Sequence, residues 1–278
     1  MAAHESVFHW VWIRETGAVI RHALFDWDGT ISLLRAGWGG VMEAQWLSEL
    51  PAEDGETAEA RARLAHDEIW RLNGKPTIHQ MARLAELTGA RGGKARSASE
   101  YNSDYQNRLA ELIAGRADRI RAGIATADDF MVAGVRDFLG HLTAQGIQLH
   151  VASGTELKFV QAEAQWLGLA HFFADRFHGP RDPDDRDFSK RGVMERILSQ
   201  SNLPGTALVA FGDGHVEIEQ ARAVGGYAVA VCSDETNWRS RRLDGAKENR
   251  LSIAGAHFCI PDFLEPVQWL PRLPWFPG

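Results

Sequence analysis

The sequence predicts an α/β fold in which helices and parallel strands alternate and a block of helices follows the first strand. Residues 18–26, "AVIRHALFD", carry the β-branched and aromatic residues of a buried strand. From residue 31 to about 127, apolar residues recur only at helical spacing. From about residue 128, short apolar runs alternate with helical patterns, which implies parallel strands joined by right-handed crossovers.

The helical block contains four amphipathic segments separated by turn-forming residues. The segments are "VMEAQWLSEL", "TAEARARLAHDEIWRLN", "TIHQMARLAELTG" and "SDYQNRLAELIAGRADRIRAG". Between them lie "PAEDG", "NGKP" and "ARGGKARSAS", whose proline and glycine residues interrupt helices. We therefore predict a helical insert at residues 35–127, within an α/β domain formed by residues 1–34 and 128–278.

The remaining chain supplies the other strands and the helices that connect them. We predict strands in "IQLHVAS", "FADRFHG", "TALVAFGD", "YAVAVCS" and "HFCIPDF". We predict helices in "DDFMVAGVRDFLGHLTAQG", "TELKFVQAEAQWLGL", "SKRGVMERILSQSN" and "HVEIEQARAVG". Gly146 is the expected C-terminal cap of the first of these helices.

The composition of the chain indicates a globular protein and argues against several kinds of partner. The chain has 278 residues, of which 45% are hydrophobic and 24% are charged, as in ordinary globular domains. A net charge of -7 argues against nucleic acid or an anionic membrane as the partner. No apolar run approaches the roughly 20 residues that span a bilayer. Two cysteines are too few for a disulfide framework, so we expect a reducing, cytoplasmic location.

Two aspartates lie at the end of the first predicted strand, in "LFDWDGT". Because side chains alternate along a strand, Asp26 and Asp28 are expected to point the same way. At ~4 Å, two like charges repel by about 4 kcal/mol at an effective dielectric constant of 20. A divalent cation with oxygen ligands would offset this repulsion.

Other chemically capable residues lie where later strands end or helices begin, the places where ligands bind in open α/β sheets. Asp26 is a competent nucleophile toward a phosphoryl group, and Asp28 is suited to act as general acid and then base. The hydroxyls of Thr30 and Ser153 are candidates to hold phosphate oxygens, and Lys190 to add a positive charge. Asp213 and Glu217 are candidates to complete an oxygen cage for Mg²⁺.

These motifs, taken in order, resemble those of the haloacid dehalogenase-like superfamily in its phosphatase branch, which includes enzymes of the phosphoglycolate phosphatase and beta-phosphoglucomutase type. The matching segments are "DWDGT", "VASGT", "SKRGV" and "GDGHVE". The resemblance implies a three-layer Rossmann-like parallel sheet core with an inserted helical cap. It also implies that Mg²⁺ binds Asp26, the backbone carbonyl of Asp28 and Asp213, and that phosphate binds Ser153, Gly154 and Lys190.

Some assignments stay open at this point. Lys158 competes with Lys190, which is preferred because it precedes the acidic motif by one helix and a loop. Glu217 stands where many relatives have aspartate, so it ligates the metal through water or serves only as a first-turn acid. Arg35 and Trp38, at the entrance to the insert, are candidates for substrate contact.

The predicted function is Mg²⁺-dependent hydrolysis of a small phosphorylated metabolite, such as a sugar phosphate, through an aspartyl-phosphate. A phosphomutase uses the same nucleophile and is the first alternative. A dehalogenase is disfavoured because it does not need Asp28 or the metal cage. A protein that binds phosphate or a partner without catalysis is the second alternative. The sequence does not select a substrate, and it permits either a monomer or a homodimer.

Overall fold

The computed structural model describes residues 19–270, apart from residues 74, 183, 184, 186, 236, 238 and 239. These residues contain one parallel sheet of six strands in the order β3-β2-β1-β4-β5-β6. The strands are β1 (His22–Phe25), β2 (Gln148–Ala152), β3 (Phe177–His178), β4 (Leu208–Gly212), β5 (Tyr227–Val231) and β6 (Phe258–Ile260). The predicted α/β fold with a parallel sheet is confirmed, and the predicted ends at residues 1–18 and 271–278 lie outside the described residues.

Helices cover both faces of the sheet, which gives three layers. They are α1 (Trp38–Glu49), α2 (Ala58–Arg71), α3 (Thr77–Ala90), α4 (Ala98–Arg121), α5 (Val135–Ala144), α6 (Leu157–Trp166), α7 (Ala170–Phe173), α8 (Lys190–Ser201), α9 (His215–Ala223), α10 (Gly245–Ile253) and α11 (Pro266–Trp269). Short 3₁₀ turns occupy Ala127–Phe130 and Gly205–Ala207. Helices α5, α6 and α7 pack on one face, and α8, α9 and α10 on the other.

The strands are largely apolar on both sides because both faces are covered. Phe25 belongs to the cluster under α5 and α6, whereas its neighbour Leu24 belongs to the cluster under α8 and α9. Phe25 is level with Val151 on β2 and with Phe211 on β4. This register brings the ends of β1, β2 and β4 to the same edge of the sheet, where the acidic residues of the sequence motifs begin.

Helices α1–α4 lie between β1 and β2 in sequence and have a hydrophobic cluster of their own. Trp46 from α1, Ile69 from α2, Met81 from α3 and Tyr101 from α4 are all buried in it. We call α1–α4 and the loops between them the insert. No strand interrupts these helices among the described residues of the stretch, as the sequence pattern predicts. The exact division of the chain at residues 34 and 128 stays a prediction.

Two helical predictions need correction. The segment predicted as one helix from residue 128 is a 3₁₀ turn followed by α5, because Gly134 has a φ of 78° that an α-helix cannot accommodate. Helix α10 was not predicted, since its short, polar sequence buries few residues, Lys247 and Leu251 among them. The predicted cap at Gly146 agrees with its φ of 75° just beyond the end of α5.

Two further observations concern the chain as a whole. Among the residues that the structure describes, no helix is both long and apolar enough to cross a membrane. Cys232 and Cys259 are free thiols, both buried beneath α10.

Candidate active site

A cleft opens between the carboxyl edge of the sheet and the insert, with a cavity volume of about 70 Å³. The sheet side of this cleft is lined by Asp26, Asp28, Ser153, Thr155 and Asp213. The insert side is lined by Trp38, Asn73, Lys75, Gln80 and Tyr105. Arg35, in the connection that leads from β1 to the insert, also lines the cleft. The motif residues from three strands therefore meet at one place.

Asp26 directly follows β1 and is held by a buried ammonium group. The Nζ of Lys190, at the start of α8, lies 2.9 Å from Oδ1 of Asp26 and 3.1 Å from Oε2 of Glu217. The same Asp26 oxygen accepts a hydrogen bond from the backbone N–H of Trp27 at 2.8 Å. Lys190 is only 2% exposed, so it reaches the cleft through Asp26 and not directly.

The pKa values of this group reflect burial and pairing. Burial raises the pKa of Asp26 well above its usual range, although the charge of Lys190 opposes the rise. Burial alone would also raise the pKa of Glu217. The Lys190 ammonium and the backbone N–H of Gly214, 2.6 Å from Oε1, outweigh it and hold the Glu217 pKa below its usual value. Glu217 is therefore an ionised partner of Lys190 behind the cleft.

A second buried lysine holds the next acid of the cleft. The Nζ of Lys247, on α10, lies 3.1 Å from Oδ2 of Asp213 and also contacts Glu235. Burial raises the pKa of Asp213 to about 6, with Lys247 opposing the rise. Gly29, with a φ of 74°, makes room for this carboxylate, because a Cβ there would lie 2.3 Å from Asp213 Oδ2. Any larger residue at position 29 would displace Asp213.

Asp28 lies between a hydroxyl and a guanidinium. Thr155 Oγ1 donates a hydrogen bond of 2.8 Å to Asp28 Oδ2. Asp28 Oδ1 is buried without a hydrogen-bond partner among the described residues, 3.6 Å from Nε of Arg35. Burial raises the pKa of Asp28 to about 7, although Arg35 lowers it. This carboxyl can therefore exist in either protonation state near neutral pH.

Arg35 is fixed from behind by a carboxylate of α6. Its Nε donates a hydrogen bond of 2.8 Å to Oε1 of Glu163, whose Oε2 accepts one of 2.9 Å from the indole N–H of Trp27. The guanidinium carbon lies 5.6 Å from the ring centre of Phe159. All of these side chains except Phe159 are buried, so Arg35 has little freedom to turn away from the cleft.

The acidic residues fit a hard divalent cation. Asp26, Asp213 and Glu217 each offer a carboxylate oxygen within 4.8 Å of the others. Carboxylate oxygens are the ligands that Mg²⁺ prefers, and three buried carboxylates close together need positive charge nearby. Lys190 and Lys247 supply part of that charge, and the Asp28 oxygen without a partner faces the same cleft. The residues therefore suit Mg²⁺, with Glu217 restricted by its bonds to Lys190 and Gly214.

The predicted site residues divide into three groups. Those that line the cleft are Asp26, Asp28, Arg35, Trp38, Ser153, Gly154 and Asp213. Lys190 and Glu217 lie directly behind Asp26. Thr30 is fully buried and does not line the cleft, so the structure does not bring its hydroxyl to the others. Lys158, the competitor of Lys190, is an exposed residue 2.8 Å from Glu156 and is not among the residues that line the cleft.

Sequence reasoning did not assign roles to several residues of this site. Glu163, Lys247 and Glu235 lie outside the four motifs and reach their partners, Arg35 and Asp213, only in the fold. Tyr105 and Lys75 lie in helical and loop segments that show no motif. The only sequence signal was for Thr155, which is part of "VASGT".

Known structures share this fold. A phosphonoacetaldehyde hydrolase-like protein from Oleispira antarctica is 16% identical, with a TM-score of 0.61 over 96% of this chain and 97% of its own. Beta-phosphoglucomutase from Clostridium difficile is 13% identical, with a TM-score of 0.57 over 92% and 97%. A predicted phosphoglycolate phosphatase from Haemophilus somnus is 16% identical, with a TM-score of 0.57 over 90% and 98%. At these identities the likeness concerns the fold.

No curated protein matches the sequence. The family model of haloacid dehalogenase-like hydrolases matches residues 20–225, which is most of the chain and includes all four motifs. The family predicted from those motifs is thus confirmed. The chain belongs to the haloacid dehalogenase-like hydrolases.

Proposed function

We propose that the protein is a Mg²⁺-dependent phosphatase that hydrolyses a small phosphorylated metabolite through an aspartyl-phosphate on Asp26. The observation that carries the proposal is the pairing of Asp26 with Lys190 at 2.9 Å, at the edge of a cleft that also contains Asp28. A buried lysine keeps the nucleophile in place and adds positive charge where phosphate charge would accumulate. The small cavity, about 70 Å³, favours a small substrate.

The first step forms a bond between an Asp26 carboxylate oxygen and phosphorus and breaks the bond between phosphorus and the ester oxygen. Asp28 donates its proton to the departing oxygen. Its pKa of about 7 makes the protonated form available near neutral pH. Thr155, bonded to Asp28 Oδ2, and Arg35, beside Oδ1, hold the carboxyl in position.

The second step removes the phosphoryl group from Asp26. A water molecule attacks phosphorus, Asp28 takes the proton of that water, and the bond between phosphorus and Asp26 breaks. Ser153 and Gly154, between β2 and α6, are the residues that we assign to the phosphoryl oxygens. Mg²⁺, held by Asp26, Asp213 and the Asp28 carbonyl with Glu217 behind, would neutralise phosphate charge in both steps.

The test is a phosphate-release assay with purified protein and a panel of sugar, glycolytic and carboxylic-acid phosphates. We expect release that requires Mg²⁺ and falls by at least ~10³-fold in Asp26→Asn, as for other nucleophile replacements. Lys158→Gln is the matched control, because Lys158 is exposed and pairs with Glu156 outside the cleft.

Other outcomes select the alternatives. Transfer of phosphate between positions of one sugar, without net release, would identify a phosphomutase. Neither release nor transfer with any member of the panel would favour a binding protein. A cytoplasmic location, a monomer or homodimer, and the absence of nucleic-acid and membrane partners stay predictions.

A further inference from the structure

Arg35 has hydrogen-bond donors that the protein does not use. A guanidinium carries five N–H donors, and buried donors are normally satisfied. Arg35 is 4% exposed, yet only its Nε has a hydrogen-bond acceptor among the described residues, namely Glu163. The two terminal nitrogens carry the other four donors, and the side chain lines the cleft. These four donors are available to a ligand.

The direction of Arg35 is fixed, so the open donors are a property of the fold. Glu163 holds Nε and is itself held by the indole of Trp27. Phe159 lies against the guanidinium at 5.6 Å. A guanidinium fixed at Nε presents its terminal nitrogens as a planar fork, which matches a carboxylate or a phosphate.

The insert adds two more donor groups to the same cleft. Tyr105, on α4, is buried, and its hydroxyl has no hydrogen bond to any residue that the structure describes. It is close enough to Arg35 and Asp28 for each charge to affect the Tyr105 pKa, which burial raises. Lys75 lines the cleft with an ammonium that has no ion pair within the described part of the chain. By contrast, the charges of Lys190 and Lys247 are already paired with carboxylates.

We propose that Arg35, Tyr105 and Lys75 form a subsite for a second anionic group, so that the substrate is a phosphate ester whose leaving group carries a carboxylate or another phosphate. The inference rests on the proposed phosphatase function. Arg35 lies beside Asp28, the acid for the leaving oxygen, which places the second anion on the leaving group and not on the transferred phosphoryl group. A neutral sugar monophosphate would leave these donors without an acceptor, which disfavours its binding.

The test measures binding, so that it does not depend on turnover. Asp26→Asn protein with Mg²⁺ is titrated by calorimetry with matched probes, 3-phosphoglycerate against glycerol 3-phosphate and fructose 1,6-bisphosphate against fructose 6-phosphate. We expect the probe with the extra anion to bind at least ~10-fold more tightly in one pair, which is about 1.4 kcal/mol. The pair that shows the difference tells a carboxylate from a second phosphate.

Variants assign the difference to the subsite. In the Asp26→Asn background, Lys75→Gln should reduce the ratio of the two affinities several-fold. Arg35→Lys, which keeps the charge but loses the fork, should reduce it as well. Lys94→Gln removes an equal charge from an exposed loop of the insert that does not line the cleft, and it should leave the ratio unchanged. Lys75 is exposed, so this variant keeps the test valid even if Arg35→Lys does not fold.

Equal affinities within both pairs, or no binding of any probe at millimolar concentration, would overturn the subsite. An unchanged ratio in Lys75→Gln and Arg35→Lys would do the same. The phosphate-release assay on the unmodified protein judges the proposed function separately. Release from glycerol 3-phosphate and 3-phosphoglycerate at equal efficiency would support the phosphatase and refute the second-anion subsite.

Discussion

The two sides of the cleft use their positive charges differently. On the sheet side, Lys190 and Lys247 are buried and each contacts two carboxylates, so their charges are balanced within the protein. On the insert side, with which we group Arg35 of the connection from β1, Lys75 has no such pair among the described residues and Arg35 uses only one of its nitrogens. The lysine charges of the sheet side are therefore paired without a ligand, whereas the insert side has donors that only a ligand or water can satisfy.

This difference matches a division of labour. Groups that stabilise charge in a reaction work best when they are already in place, since no free energy is then spent on reorganising them during the reaction. Groups that select a substrate gain from having donors that a wrong ligand leaves unsatisfied. We infer that the sheet side carries the chemistry and the insert side carries the selectivity.

The largest expected effect tests the pairing of Lys190 on the sheet side. Lys190→Met leaves Asp26 and Glu217 buried together without their shared cation. Removal of one partner from a buried ion pair costs about 3 to 5 kcal/mol, so we expect a loss of that size in the free energy of unfolding. Phosphate release should be lost as well. Urea denaturation at pH 7 measures the first effect.

Lys158→Met is the control for this substitution. Lys158 is exposed, pairs with Glu156 and lies 4.8 Å from the ring centre of Phe159, so its replacement should change the free energy of unfolding by about 0.5 kcal/mol or less. If both variants lost the same stability, the sheet side would not be held together by Lys190, and the contrast with the insert side would disappear.

Whether the sequence predicts a residue of this site depends on how far apart in sequence that residue and its contacts lie. Asp26, Asp28 and Ser153 lie in short motifs at strand ends, where local pattern and strand direction determine which way they face. Glu163 was not predicted, because its contact with Arg35 joins residues 128 apart in sequence. Lys247 was missed for the same reason and because α10 itself was not predicted.

The elements of the fold were likewise predicted where the local sequence pattern determines them and missed where it does not. The strands were predicted because both faces of the sheet are covered, so that the strands are largely apolar. The start of α5 was predicted several residues too early, because the pattern continues through Gly134 and only the backbone conformation interrupts the helix. Thr30 was assigned to phosphate by motif, yet the tight turn after β1 buries its hydroxyl.

A buried histidine, His150, limits the stability of the fold at acidic pH. His150 on β2 is buried beside His22, with ring nitrogens 3.2 Å apart. Burial lowers the pKa of His150 to about 3, so the ring is neutral in the folded protein. In the unfolded chain it takes up a proton below pH ~6.5. Stability is therefore lost as pH falls from about 6.5, by about 2 kcal/mol at pH 5 from this residue.

Urea denaturation at pH 7 and pH 5 gives the size of this loss. In His150→Gln, the difference between the two pH values should shrink by about 2 kcal/mol. His171→Gln, at an exposed position of α7, should leave the difference as it is. If the free energy of unfolding of His150→Gln still differed between pH 7 and pH 5 as much as that of the unmodified protein, other groups would be responsible for the loss of stability at low pH.

A smaller effect is expected from the support of Arg35. Glu163→Gln keeps the shape of the side chain but removes the charge that Nε of Arg35 and the indole of Trp27 contact. Hydrogen bonds to charged groups contribute about 1.5 to 3 kcal/mol, and the amide retains part of this, so we expect a loss of about 1 to 2 kcal/mol in stability.

The kcat and KM of Glu163→Gln test whether the sheet side carries the chemistry and the insert side the selectivity. If Glu163 acts only through Arg35, KM should rise more than kcat falls, because binding is lost and the nucleophile is untouched. Glu195→Gln, on the exposed face of α8, is the control. A fall in kcat with an unchanged KM would place Arg35 with the chemistry of the sheet side and would break the proposed division of labour.

The smallest effect concerns the place where the two sides touch. A Cβ on Gly154 would lie 2.6 Å from the backbone carbonyl oxygen of Lys75, so Gly154→Ala must move the insert loop away from β2. The backbone of Gly154 has no positive φ, so alanine adds no strain of its own. We expect a loss of about 1 kcal/mol in stability and a rise in KM of about 3- to 10-fold, because Lys75 moves away from the substrate.

Gly115→Ala, on α4 with open space around its Cα, is the matched control and should leave KM as it is. If KM rises only in Gly154→Ala while kcat holds, the insert contributes its donors through a fixed position above the sheet. If kcat falls instead, the same contact also aligns the phosphoryl-binding loop at Ser153 with Asp26. The insert would then take part in the chemistry as well as in the choice of substrate.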